Sequence, residues 1–119
     1  MRHISKVDWK REFDVLFSSR NAQVATMVLK PGDCSDDSVR NEHPNSEQWV
    51  YIVSGTGSIT TAKRGARNRT SKLKAGDIVL IEKAERHQIR NIGKRPLRTM
   101  NLYVPPAYDN EGEVISATK

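Results

Sequence analysis

Apolar residues in this chain come in short runs that alternate with polar ones. Phe13, Val15 and Phe17 face one way and Asp14 and Ser18 the other, which predicts a strand over 13–18. Arg20-Asn21 reads as a turn, and a β-rich run from Ala22 to Leu29 follows, ended by Pro31-Gly32. The strongest strand signal is Gln48 to Val53, closed by Gly55-Thr56-Gly57, with Ser58 to Lys63 as its hairpin partner. Thr70 to Leu73 is the next short run, and Ala75-Gly76-Asp77 a turn. Ile78 to Ile81 is wholly apolar and predicts a strand covered on both faces. Lys83 to Arg86 reads as a turn, His87 to Ile92 alternates, and Gly93 to Pro96 turns again. Leu97 to Val104 is the last strand, stopped by Pro105-Pro106. The stretch 107–119 reads as irregular, and no helical period of ten or more residues appears. Short strands at this spacing predict an all-β sandwich or barrel, and closure removes exposed sheet edges.

Composition narrows the class. A chain of 119 residues suits one domain, with a core over about 13–106. The single cysteine, Cys34, cannot form an internal disulfide. No apolar run reaches the length of a membrane span, and the charged start lacks an apolar signal core. These features set the expectation of a reduced, cytoplasmic compartment and no membrane partner. The net charge of +6 raises the question of an anionic partner. Lys63, Arg64, Arg67, Arg69, Lys72 and Lys74 concentrate in one segment, read as a solvated hairpin loop. An anion or nucleic-acid contact through 63–74 is the alternative. The segment has no interleaved aromatic residue and no recognition helix, which argues against nucleic acid.

Two segments carry a resemblance. One runs from Pro31-Gly32 through His43 to Gln48-Trp49-Val50-Tyr51-Ile52-Val53-Ser54-Gly55. The other runs from Gly76 through His87 to Asn91. Together they resemble the two signature motifs of the cupin superfamily. Gly76, His87 and Asn91 sit at the spacing of the second motif, with Glu82 and Ala84 where its proline and glycine usually stand. In the first motif Gly55 sets the register. Gln48 then takes the position of the usual Glu, His43 that of the second histidine and Asn41 that of the first. Over nearly its full length the chain is similar to small single-domain cupins of the mannose-6-phosphate isomerase-like kind. The resemblance implies a double-stranded β-helix, or jelly-roll, barrel filling residues 1–119 as one domain, and it implies a homodimer.

It also implies a site. On the strand from Gln48, the residues Gln48, Val50 and Ile52 face the interior, while Trp49, Tyr51 and Val53 face outward. His87, Ile89 and Asn91 share one face of their strand. His43 and His87 can therefore converge. The ligand-binding set is Asn41, His43, Gln48, Val50, Ile52, His87 and Ile89, and the metal set is His43, His87, Gln48 and Asn41. Two imidazoles suit a borderline divalent ion such as Mn, Fe, Ni or Zn. Amides at the other two positions bring no negative charge, so the ion is held weakly. Asp36, Asp37, Glu42 and Glu47 are the nearby acids, and Glu47 points away if the strand begins there. Asn91 is read as bracing a turn, and Cys34 as a semi-buried small residue. The function implied is binding of a small polar molecule, a sugar or organic acid, with the reaction open between isomerase-like and dioxygenase-like chemistry. A metal-free binding or sensor module is the alternative.

Overall fold

The computed structural model describes residues 1–36, 38–40 and 43–115. Eight strands and no helix occur among them: β1 (Phe13–Ser18), β2 (Gln23–Leu29), β3 (Glu47–Ser54), β4 (Thr56–Ala62), β5 (Arg69–Lys74), β6 (Ile78–Ile81), β7 (Arg86–Asn91) and β8 (Leu97–Val104). No helix of the described residues is long and apolar enough to cross a membrane. The strands form two antiparallel sheets, in the orders β1-β2-β8-β3-β6 and β5-β4-β7. This is the all-β, jelly-roll architecture that the alternating runs and the resemblance predict.

The period-two pattern becomes two sheet faces. Along β3, Gln48, Val50 and Ile52 are buried while Trp49, Tyr51 and Val53 are exposed. Inward aliphatic residues from both sheets meet in one core of Met27, Leu29, Val50, Ile52, Ile59, Leu73, Ile81, Ile89 and Leu97. Each fully buried aliphatic side chain there contributes about 1.5–3 kcal/mol of transfer free energy.

Three expectations need correction, the first being the hairpin: β3 and β4 lie in different sheets and do not pair, so Ser58 to Lys63 is not the partner of Gln48 to Val53. Ile78 to Ile81 is not covered on both faces: Ile78 is 66% exposed and Leu80 40% exposed, because β6 is the edge of its sheet and carries nothing outside it. The basic segment 63–74 is only in part a loop. Arg69, Lys72 and Lys74 belong to β5, paired residue by residue with β4, and their side chains stay in solvent. The segment after Pro106 carries no helix or strand through residue 115, yet it is anchored: Ala107 is buried, and Tyr108 bridges Val114. Gln23, buried in β2, holds it. Its Oε1 accepts from the Ala107 and Tyr108 N–H groups, and its Nε2 donates to the Tyr108 carbonyl.

The turn between β3 and β4 carries the chain from one sheet to the other. Gly55 has φ +93°, and a Cβ there would lie 2.6 Å from the Pro96 carbonyl oxygen. Gly65 has a similar φ, +80°, with nothing within 4 Å. Gly55→Ala should therefore destabilise the fold by about 2 kcal/mol or more, and Gly65→Ala by about 1 kcal/mol. Urea denaturation of the two variants side by side checks the difference.

Candidate functional site

The barrel interior becomes polar at one end. His43, Gln48 and His87 line a cavity of about 210 Å3, together with Phe13, Met27, Leu29, Ile89, Tyr103 and Tyr108. Glu12, Ser35, Asp36 and Arg40 also contribute to its wall. His87 stands on β7, whose main chain is held on both sides. On one side it pairs with Thr61 of β4, and on the other the His87 N–H donates to the Arg40 carbonyl at 3.0 Å. His43 enters from the loop before β3, where the Ser46 N–H donates to the His43 carbonyl. The two imidazole rings lie 5.1 Å apart between centroids, tilted by 43°. Tyr103 packs edge-on against His43 at 5.1 Å, and Tyr108 against Tyr103 at 5.0 Å.

Burial sets the protonation of both rings. His87 has its pKa lowered from 6.5 to about 4, first by desolvation and then by the charge of His43. The Glu85 carbonyl and Asp36 act the other way and do not offset this. His43 is also lowered, again by desolvation, against the opposing pull of backbone groups and the Gln48 carboxamide. Both rings are therefore neutral near pH 7. His87 Nδ1 lies 3.3 Å from the Glu85 carbonyl, which can only accept, so Nδ1 carries the proton and Nε2 keeps its lone pair.

Gln48 is 4% exposed. Its Nε2 donates to Asn101 Oδ1 at 3.1 Å, and its Oε1 accepts no hydrogen bond from a described group. At the mouth, Arg40 Nε donates to Asp36 Oδ2 at 2.6 Å, with Arg40 half-exposed and Asp36 nearly buried.

Most of the residues expected at the site meet here. His43, Gln48, His87 and Ile89 line the cavity. Val50 and Ile52 do not: they point inward from β3 but are sealed in the apolar core, further along the strand than the cavity reaches. Asn41, and with it Asp37 and Glu42, lies outside the described residues. Glu47 opens β3 on its outer face, where Oε1 accepts from Trp49 Nε1, so it does not serve the site. Asn91 braces a turn, but the one at 91–95 rather than one beside His87: Nδ2 donates to the Leu29 and Arg95 carbonyls, and Oδ1 accepts from the Gly93 N–H. Cys34 is half-buried and bridges Arg90 through its backbone. Sequence reasoning missed Tyr103, Tyr108 and the Asp36–Arg40 pair. Tyr103 was legible as an inward position of the last strand. Tyr108 was not, because only the Gln23 clamp brings it over the cavity.

The donor set can be tested against a divalent ion. No group of three His, Cys, Asp or Glu side chains suited to a metal occurs among the described residues. Two neutral imidazoles and the Gln48 side chain do line one cavity. With metal–nitrogen bonds of about 2.1 Å, two rings sharing an ion at roughly 90–110° have centroids about 4.6–5.3 Å apart. The observed 5.1 Å falls in that range. The buried Gln48 oxygen, which accepts nothing from a described group, fits a third ligand. The residues fit a divalent ion with three neutral ligands and the remaining positions open.

Two sheets closed over a cavity with a histidine pair define the class, and comparison supplies the family. The Cupin domain family matches residues 25–103, so this chain belongs to the cupins. It is 28% identical over 90 residues to oxalate decarboxylase OxdC of Bacillus subtilis (strain 168), spanning 76% of this chain and 23% of that protein. The chain thus spans about a quarter of that curated relative's length. Among solved structures, BH2720 from Bacillus halodurans superposes with a TM-score of 0.75 at 23% identity, covering 87% of this chain and 76% of that one, a likeness of fold. A Bacillus subtilis oxalate decarboxylase structure concerned with its Mn(II) centres superposes with a TM-score of 0.68 at 27% identity, covering 76% of this chain and 23% of that one. Relatives of this kind make a divalent metal plausible and leave its identity open.

Neutral buried imidazoles link stability to pH. The unfolded chain takes up a proton at His87 near 6.5, and the folded chain only near 4. Acid therefore favours unfolding. The loss begins as pH falls through 6.5 and is complete below 4, and His87 contributes about 3 kcal/mol to it. Urea denaturation of chelator-treated protein should show this decline between about pH 7 and about pH 4, and His87→Gln should flatten it.

Proposed function

We propose that this chain is a small-molecule-binding cupin that takes a small organic acid in its barrel cavity, beside a weakly held divalent ion. The single observation that carries the reading is the neutral pair His43 and His87 lining one cavity together with the buried Gln48. His43, His87 and Gln48 would hold the ion, and Asn41 stands at the family position of a fourth ligand. When bound, the ion would polarise a carboxylate or carbonyl oxygen.

The chain's own residues account for the rest. Phe13, Met27, Leu29, Ile89, Tyr103 and Tyr108 give the cavity an aromatic and aliphatic wall. Arg40 presents a guanidinium at the mouth, where a carboxylate would meet it. Asp36 holds that guanidinium in place through Nε. The relatives named as oxalate decarboxylases favour an organic acid over a sugar. Because all three protein ligands are neutral, an anionic ligand would supply the charge that the ion lacks. Metal and acid should therefore bind cooperatively. A metal-free binding module is the second reading, favoured by the lack of a carboxylate among the three ligands.

Protein purified without chelator should take up Mn(II) or Zn(II) weakly, and His87→Ala should abolish uptake. Oxalate should tighten Mn(II) binding about tenfold or more in wild type and much less in Arg40→Ala. Calorimetric titration with and without chelator separates the readings. Acid binding that persists in chelator supports the metal-free module, and no binding of either partner defeats both.

We also propose that a second copy covers the outer face of β3 and β6. Trp49 lies opposite Leu80 and Tyr51 opposite Ile78, and with Val53 these form an exposed apolar patch, edged by Glu47, whose Oε1 accepts from Trp49 Nε1. Packing such a patch against its own copy about a two-fold axis would remove it from water. The basic side chains Lys72 and Lys74 lie on β5 of the other sheet, so contact through β3 and β6 does not press them together. Ile78→Lys should shift the protein from dimer to monomer in sedimentation velocity, with Mn(II) uptake retained. A wild-type monomer at high protein concentration would defeat the proposal.

A further inference from the structure

We propose that Asn101 is a positioning residue for the cavity: through a buried chain of amides it turns the Gln48 carbonyl oxygen, rather than its N–H2 group, toward the histidines, and so dedicates the site to cations and hydrogen-bond donors. This rests on the reading of the cavity as a binding site and adds what decides its polarity.

The polarity can be traced link by link. Ala25 is an inward position of β2, and it pairs with Asn101 of β8. The Ala25 main-chain carbonyl can only accept. Asn101 Nδ2 lies 3.4 Å from it and 3.0 Å from Thr99 Oγ1, so this end of the carboxamide must be the donor. Asn101 Oδ1 is then turned the opposite way, toward β3. There it meets Gln48 Nε2 at 3.1 Å, which must donate. Gln48 has one other end, and Oε1 is left for the cavity. Gln48, Thr99 and Asn101 are all buried, so water does not offer the amides an alternative partner at these positions.

The outcome is a cavity centre furnished with electron pairs. Gln48 Oε1 is a buried acceptor beside His43, whose protonated form the Gln48 side chain favours, and it has no hydrogen bond of good geometry among the described residues. His87 Nε2 presents a lone pair, because its Nδ1–H is committed to the Glu85 carbonyl. A metal ion, or a ligand with a hydroxyl or ammonium group, satisfies such a centre. A bare carboxylate is repelled by the Gln48 oxygen and the His87 lone pair, unless it arrives with an ion or a proton. Had the amide chain run in the opposite sense, the Gln48 N–H2 would face the histidines and the preference would reverse.

The test has a readout that needs no metal. In isotope-labelled full-length protein kept in chelator, the Gln48 side-chain N–H2 protons should show cross-relaxation to Asn101 and none to the His43 ring protons. In Asn101→Leu the Gln48 amide loses its acceptor, cross-peaks to His43 should appear, and Mn(II) affinity should fall about tenfold. Thr99→Val leaves the Ala25 carbonyl in place and should keep both readouts near wild type. Wild-type cross-peaks from the Gln48 N–H2 to His43 would overturn the proposal. So would unchanged Mn(II) affinity in a folded Asn101→Leu. If wild type binds no Mn(II), the metal reading falls while the cross-peaks still decide the orientation. If Asn101→Leu does not fold, the wild-type map alone decides.

Discussion

The arrangement of this barrel depends on the antiparallel pairing of β3 with β8 at the centre of the larger sheet. That pairing sets Gln48 beside Tyr103 and Val50 beside Asn101, so each inward position of one strand has a fixed neighbour on the other. A slip of one residue would turn Gln48 outward and bring Trp49 into the core. Two neighbouring constraints prevent it. Gly55, in a left-handed conformation against the Pro96 carbonyl, fixes where β3 ends. Pairing of β8 with β2 on its other side fixes Asn101 against Ala25. With β3 and β8 locked, the polar end of the barrel lies between them.

The two histidines reach that end by different routes, and the difference matters physically. His87 is embedded in the smaller sheet, with main-chain partners on both flanks. His43 stands in the loop before β3, and Tyr103 and Tyr108 pack against its ring. One ring is therefore placed by the sheet and the other by aromatic packing. Burial keeps both neutral, which suits them as electron-pair donors and leaves the site without a negative charge of its own. A third group, Gln48, is held by amides instead of by a counter-ion. The site is thus preorganised at a modest desolvation penalty, and its charge balance depends on what it binds.

The outer faces of the two sheets have opposite characters. The larger sheet shows Trp49, Tyr51, Val53, Ile78 and Leu80, and the smaller sheet shows β5 with Lys72 and Lys74 in solvent. Alternation explains both, since one face of each strand must serve the common core and the other is free to vary. It also explains why an all-apolar run such as Ile78 to Ile81 misleads. An edge strand with both faces apolar has the same local pattern as a central strand, and only its place in the sheet tells them apart.

Much of this molecule could be read from the chain because its determinants are local. Period-two alternation placed the strands, and the glycines and prolines placed the turns. The inward side of Gln48 and His87 followed from counting along a strand, with Gly55 and Gly76 as fixed points. What the chain could not show was every feature produced by a partner distant in sequence. Val50 and Ile52 share the inward face with Gln48, yet only the packing of the second sheet decides that they are core and Gln48 is cavity wall. The sense of the Gln48 amide is set by Asn101 and Ala25, and the position of Tyr108 by Gln23, which is 85 residues earlier. Alternation determines which side a residue faces. Its neighbours on that side, and the proton or charge it can keep there, follow from contacts that exist only once the sheets have closed.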